Sequence, residues 1–177
     1  MALARNNSAL RLRLDDFETR GAASGHGDLR LWLRMMAVHK LVTNEARRRL
    51  RASYNMSLSR FDLMAQLDSN NAGLRMGEIS NRLMVTTGNI TGLTDELEAE
   101  GLVERSADPH SRRALLVRLT PKGRKAFRAA AKANEGWISE FFSVLSAKDK
   151  KAMFGILGAQ KAFLLTRVQQ TGRSSAK

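Results

Sequence analysis

The stretch Thr86-Thr-Gly-Asn-Ile-Thr-Gly-Leu-Thr-Asp-Glu-Leu-Glu-Ala-Glu-Gly-Leu-Val103 reads as one helix with a built-in stop, and the rest of the chain organises around it. Thr86 is placed to cap the first turn. Ile90, Leu93 and Leu97 recur at helical spacing, so one face docks on a core. Gly101 suits the left-handed position that ends a helix, with Leu102 folding back behind it. The opposite face at the start holds Thr87, Gly88, Asn89, Thr91 and Gly92. These residues are small, polar and uncharged. Such a helix end can enter a DNA major groove and offer hydrogen bonds to base edges.

Upstream, Met76-Gly-Glu-Ile-Ser-Asn-Arg-Leu83 predicts a short helix with Ile79 and Leu83 on one face, and Met84-Val85 the turn after it. Before that, Ser59-Arg-Phe-Asp62 has the hydroxyl-to-acid spacing of a capping box. It opens a helix carrying Phe61, Leu63, Met64 and Leu67, ended by Asn70, Asn71 and Gly73. Downstream, Leu102 to Ser106 and Ala114 to Leu119 read as strands, the second with Leu115, Val117 and Leu119 alternating. Between them lies Ala107-Asp-Pro-His-Ser-Arg-Arg113, a turn with a basic tip. A helix-turn-helix followed by such a hairpin is a winged lobe.

The flanks are helical. From Asp28, a candidate N-cap, Leu29, Trp32, Met36 and His39/Lys40 follow at spacings of three and four, and the pattern continues to Leu50. The last turns carry Arg47, Arg48, Arg49 and Arg51. Cations there complement the helix dipole, or serve DNA or a ligand. Thr120-Pro121 starts another helix, running through Phe127, Trp137 and Phe141 to Val144. Ser146-Ala-Lys-Asp149 caps a last one bearing Met153, Ile156, Leu157, Phe163 and Leu164. Trp137, Phe141, Phe142 and Phe163 call for a partner surface, and a symmetric dimer built from the first and last helices is the economical solution.

The expected organisation is mainly α with a small β-wing. A flexible arm spans 1–27, a dimerisation helix 28–57, the winged helix-turn-helix DNA-binding lobe 58–120, C-terminal dimerisation helices 121–166, and a polar tail 167–177.

Composition narrows the partners. Thirty Lys and Arg stand against seventeen Asp and Glu over 177 residues, a net charge of +13. Such a surplus attracts polyanions, nucleic acid first and an anionic membrane second. With no cysteine, disulfides, thiol catalysis and cysteine metal or redox sites are excluded. His26, His39 and His110 lack the short spacing of metal ligands on one helix face. Neither a Gly-x-Ser-x-Gly turn nor a Walker phosphate loop is present. No enzyme, catalytic residue, cofactor or metal is expected. No apolar run reaches the roughly 20 residues of a membrane span, and the N-terminus lacks the apolar stretch of a secretory signal. The expected compartment is the cytoplasm, with no membrane partner.

The chain resembles the MarR family of bacterial regulators. The residues that carry the likeness are Met76–Leu83, Asn89–Arg105, Asp108–Ala114 and Val117–Gly123, in that order, within a resemblance spanning about Leu29 to Thr166. It implies a homodimeric transcriptional regulator of double-stranded DNA, a repressor at a pseudo-palindromic operator. Carried over by residue, Thr86, Thr87, Asn89 and Thr91 would face the groove. Arg112 and Arg113 would lie at the wing tip, at least one entering the minor groove. Asp108 would brace the wing by pairing with an arginine. Two positions depart from the pattern. Ser111 stands where many members have an acid, so the wing would be held less rigidly or by Asp108 alone, and Gly92 where many have arginine, so the operator need not match that of relatives.

Leu74 to Ala99 is similar to repressors of hydroxycinnamate catabolism. That implies release by a small-molecule effector, an aromatic carboxylate or its aryl-CoA thioester. Trp32, Met36 and His39 share a face of the first helix, with Phe61 and Met64 on the next, either as core or as effector contacts. Arg30 and Arg34, one turn apart, form a solvated basic face or an anion clamp. The alternative is an architectural, nucleoid-associated DNA-binding protein, with little sequence preference and no effector.

Overall fold

The computed structural model describes residues 27–109 and 111–174. Apart from Gly27, the expected N-terminal arm lies outside them. The chain divides into two compact units, with the boundary between Ile138 and Ser139.

In the first unit, α1 (Gly27–Tyr54) is 28 residues long, about 42 Å at 1.5 Å per residue. Asp28 sits in its first turn and does not stand ahead of it as the cap. The helix stops three residues short of the expected segment. Asn55 takes a left-handed φ of 47°, and the Met56 N–H returns to the Leu50 carbonyl at 3.4 Å. Asparagine tolerates that conformation better than most residues. Ala46, Leu50 and Met56 are buried, whereas Leu29, Leu31, Trp32, Met36 and Leu41 are exposed. The C-terminal turns of α1 therefore enter the core and its earlier turns do not. The arginine cluster has partners of its own. Arg47 donates to Asn44, while Arg48 and Arg49 both donate to Glu45. The Arg48 hydrogen bond leads in holding the Glu45 carboxyl down at about 2.

Helix α2 (Leu58–Asp68) is capped by Ser57, whose hydroxyl accepts the Arg60 N–H at 3.2 Å. The cap expected at Ser59 is displaced two positions, and Ser59 lies inside the first turn. Burial explains the choice between two serines. With Ser57 as cap, Met56 and Phe61 take the flanking positions that staple a helix entry, and both pack in the core.

A two-residue strand β1 (Leu74–Arg75) leads into α3 (Met76–Leu83). Met84 turns left-handed at φ 55°, and the buried Ser80 hydroxyl donates to the Val85 carbonyl at 2.6 Å. Helix α4 (Thr87–Ala99) follows Thr86 and buries Ile90, Thr94 and Leu97. Thr94 can be buried because its hydroxyl donates to the Ile90 carbonyl at 2.7 Å. At the helix end Gly101 adopts φ 69°. The Leu102 N–H reaches the Leu97 carbonyl at 2.9 Å, and the Gly101 N–H the Glu98 carbonyl at 2.8 Å. This is the Schellman stop that the glycine was expected to make.

Strands β2 (Val103–Asp108) and β3 (Ser111–Leu119) form an antiparallel hairpin, completed by β1 in the order β1-β3-β2. Both strands outrun the expected ones, and most of the predicted loop becomes ladder. Short β1 went unread because two residues carry no period of their own. It is made a strand by its partner, with Leu74 opposite Val117. Val117 and Leu119 face inward, but Leu115 is half exposed. A bulge between Ala107 and Asp108 falls beside the Ala107–Leu115 pair and shifts the ladder there.

Helix α5 (Pro121–Phe141) begins against the stop of α4. The Thr120 N–H bonds to the Leu102 carbonyl at 3.1 Å. Its hydroxyl donates to the Gly101 carbonyl at 2.7 Å and accepts the Gly123 N–H at 3.0 Å. A Cβ on Gly123 would stand 1.8 Å from the Leu102 oxygen, so only glycine fits. Further along, Phe127 meets Phe61 at a centroid distance of 5.3 Å, and Trp137 meets Tyr54 at 6.3 Å. Trp137 therefore finds its cover within the chain, where a partner surface was expected.

Helix α5 ends at Phe141, before Val144. In the second unit, Ser146 and Asp149 exchange the two bonds of a capping box, and α6 (Ala147–Ser174) follows. It runs past Thr166 through what was expected to be a polar tail, since Arg167-Val-Gln-Gln-Thr contains no proline and no glycine. Phe154, Ile156, Phe163 and Val168 are exposed along it. No helix among the described residues is long and apolar enough to cross a membrane.

Candidate nucleic-acid interface

The arrangement around α4 presents one helix end and secures the other. Ile90, Thr94 and Leu97 anchor its inner face, and Leu93 packs partly buried beside them. Thr86, Thr87, Asn89 and Thr91 are all exposed at the outer N-terminal end. Two of their hydroxyls are already engaged as donors. Thr91 donates to the Thr87 carbonyl at 3.1 Å, and Thr87 to the Ser80 hydroxyl at 3.5 Å. They keep lone pairs for an outside donor. No hydrogen bond reaches the Asn89 side chain among the described residues. Its amide thus has donor and acceptor both available, the combination that can pair with an adenine edge. A Cβ on Gly88 or Gly92 would meet nothing within 4 Å. The surface there is open, not tightly packed.

Charge is segregated along the helix. Its first half has none, and its second half carries Asp95, Glu96 and Glu98. Arg105 of β2 holds that acidic half, donating to Glu98 at 2.6 Å and to Asp95 at 2.5 Å. Arg60 of α2 pairs with Glu100 just beyond the helix. These contacts link α4 to the wing and to α2. The bonding pattern was hidden in the sequence, because each pair joins residues on different elements.

At the far end of the wing, Asp108 is 3% exposed at its side chain and receives both Nε and a terminal nitrogen of Arg75 at 2.6 Å. Arg75 belongs to β1, the strand that sequence reading missed. Arg112 and Arg113 lie in β3, not in a loop as expected, and their side chains fall outside the described residues.

The residues expected to meet an effector do not converge within one chain. Arg30, Trp32, Arg34, Met36 and His39 are exposed on α1. Phe61 is turned instead into the core against Phe127, where Met64 is fully buried. Helical periodicity placed them on compatible faces but could not say which face the core would claim. A cavity of about 590 Å³ opens elsewhere, between the start of α2 and the outer face of α4, with Ser57, Asp62, Val85, Asn89 and Glu96 among its lining. Asp62 was read as a capping residue. Its burial raises its carboxyl above the ordinary value.

Residues 56–115 match the model of the MarR family. Along the chain, similarity reaches the transcriptional repressor MprA of Escherichia coli, 28% identical over 135 residues, covering 72% of this chain and 76% of that protein. A crystal structure of a MarR family transcriptional regulator from Silicibacter pomeroyi is 31% identical, with a TM-score of 0.65, and the match covers 80% of this chain and 99% of that one. The structure of the MarR C80S mutant from E. coli complexed with operator DNA shares the fold at a TM-score of 0.66 and 20% identity, over 73% of this chain and 91% of that one. Against two HTH-type regulators of Bacillus subtilis, the chain spans only 62% and 66% of their length.

Proposed function

The chain belongs to the MarR family, and on that premise we propose that it is a sequence-specific DNA-binding transcriptional regulator acting as a homodimeric, ligand-responsive repressor. The observation that carries the reading is the N-terminal end of α4. There an unbonded Asn89 amide and the hydroxyls of Thr86, Thr87 and Thr91 stand exposed on a helix whose other face is locked in the core. Base edges in a major groove ask for uncharged hydrogen-bonding groups on a rigid support. The wing hairpin, with Arg112 and Arg113 in its returning strand, supplies a basic contact for the adjacent backbone or minor groove. The net charge of +13 adds long-range attraction.

A dimer is supported by apolar surface that the single chain leaves uncovered: Leu29, Trp32 and Met36 on α1, and Phe154, Ile156 and Phe163 on α6. Exposed apolar patches on a helix mark interaction surfaces. Two copies would set their recognition helices into successive major grooves about 34–36 Å apart, on a pseudo-palindrome. Arg30 and Arg34 flank Trp32 on exposed α1, the chemistry for an aromatic carboxylate or its CoA thioester once a second copy closes the space. Such an effector releases DNA by binding better to a lobe spacing that misfits the grooves.

Fluorescence anisotropy with a duplex from the DNA flanking the chain's own gene, against a scrambled duplex at fixed salt, tests the reading. A preference of about a thousandfold or more is expected. Equal binding to both would replace the regulator with an architectural DNA-binding protein.

A further inference from the structure

The cavity between α2 and α4 has a charge opposite to that of the protein around it. Its volume, about 590 Å³, lies within the range of small-molecule sites. Leu83, Ile90 and Leu93 provide an apolar part, and among the described residues the only charged groups in its lining are the carboxylates of Asp62 and Glu96. In a chain with thirty Lys and Arg, neither carboxylate has a hydrogen bond or an ion pair among the described residues. The nearest candidate on α2, Arg60, is committed to Glu100. Asp62 is partly withdrawn from water and no side chain among the described residues pairs with it, a costly arrangement for a carboxylate.

We infer that this cavity is a binding site for an organic cation, an ammonium group carried on an apolar body. The ammonium would lie between Asp62 and Glu96, and the apolar part against Leu83, Ile90 and Leu93. The site is separate from the α1 surface assigned to an anionic effector, and its ligand has the opposite charge. The rival occupant is an anion, drawn by the N-terminal end of α2. That end carries only about half a positive charge, felt mainly within its first turn, and Asp62, just past that turn on the same helix, sets a full negative charge against an anion. Glu96 adds a second. An anion would therefore enter a net negative pocket.

Binding there has a consequence for DNA, which rests on the function proposed above. Asn89 and Gly92 line the same cavity, so an occupant lies against the groove-facing end of α4 and competes with the duplex.

The test uses the full chain without DNA, so it stands apart from any result on operator preference. The probes are 4-phenylbutylammonium, 4-phenylbutyrate and neutral 4-phenylbutanol, followed by amide NMR shifts and calorimetry. The ammonium compound should shift the Gly88, Asn89 and Gly92 signals saturably and bind at least tenfold more tightly than the other two. Asp62→Asn and Glu96→Gln, each nearly isosteric, should each weaken it by about tenfold while leaving the rest of the spectrum folded. Equal or tighter binding of 4-phenylbutyrate, or wild-type affinity for the ammonium in both variants, would overturn the assignment. So would shifts confined to α1. In a separate arm, the ammonium compound should lower affinity for DNA in the wild type and not in Asp62→Asn.

Discussion

Placing the same methyl group at two positions of α5 should give effects of opposite sign. In Gly123→Ala the new Cβ would stand 1.8 Å from the Leu102 carbonyl oxygen and 2.7 Å from its carbon. Ordinary contact begins near 3.4 Å, so the first turn of α5 must retreat by roughly 1.6 Å. The oxygen is backbone, tied into the turn that stops α4, and it cannot rotate away. Overpacking of this kind costs about 1–3 kcal/mol. The retreat also strains the Thr120 N–H to Leu102 bond at 3.1 Å and the Gly123 N–H to Thr120 bond at 3.0 Å, each worth about 0.5–1.5 kcal/mol. Alanine returns about 1 kcal/mol as the better helix former. The net loss is about 1–5 kcal/mol. At Gly136, on the same helix, a Cβ meets nothing within 4 Å, and Gly136→Ala should gain about 0.5–1 kcal/mol. Urea unfolding followed by circular dichroism, at one protein concentration because a dimer's stability depends on it, reads both. Near the thermal midpoint the pair should separate by several degrees, at about 2–4 °C per kcal/mol for a chain this size. A Gly123→Ala protein as stable as the parent would refute the close approach of α5 to the end of the recognition helix.

Other expectations follow from the interface. Arg112→Ala with Arg113→Ala should weaken DNA binding and flatten its salt dependence by about one to two units of log-log slope, read by anisotropy at several salt concentrations; an unchanged slope would remove the wing from the backbone contacts. Asn89→Ala should reduce discrimination between operator and scrambled DNA more than it reduces binding to the scrambled duplex, and an equal loss on both would mean that its amide reads no base. Arg75→Met removes the two Arg75 hydrogen bonds that reach the nearly buried Asp108 carboxylate. The cost should be about 1–3 kcal/mol in a urea melt, less than for a fully enclosed pair because Arg75 is half exposed; Asp108→Asn in the same chain should recover part of it. Asp62 is raised by burial, so the folded protein holds its proton more tightly than the unfolded chain does. Its charged form therefore destabilises the fold above the raised value, and that penalty fades as pH falls through the ordinary 3.8. Asp62→Asn should be the more stable protein at pH 7, with the difference vanishing in acid; a difference independent of pH would exclude the carboxyl as its source.

Much of this molecule is dictated locally and was legible residue by residue. The apolar positions of α4, its stop at Gly101, the short α3 and the caps at Thr120 and Ser146 follow from helical spacing and from the few residues that accept a left-handed turn or satisfy a free N–H. Those rules act within four or five residues, so the chain alone states them. Where two local solutions competed, burial chose. Ser57 prevailed over Ser59 because it lets Met56 and Phe61 both pack. Phe61 turned to Phe127 and away from a ligand face, because the core claims whichever apolar side chain it can enclose. Strand β1, the Arg75–Asp108 pair and the carboxylate-lined cavity each join segments far apart in sequence, and the hold of Arg105 on α4 joins two different elements across the stop at Gly101. No periodicity records such contacts. They exist only once the hairpin folds back over the recognition helix and brings the partners within reach.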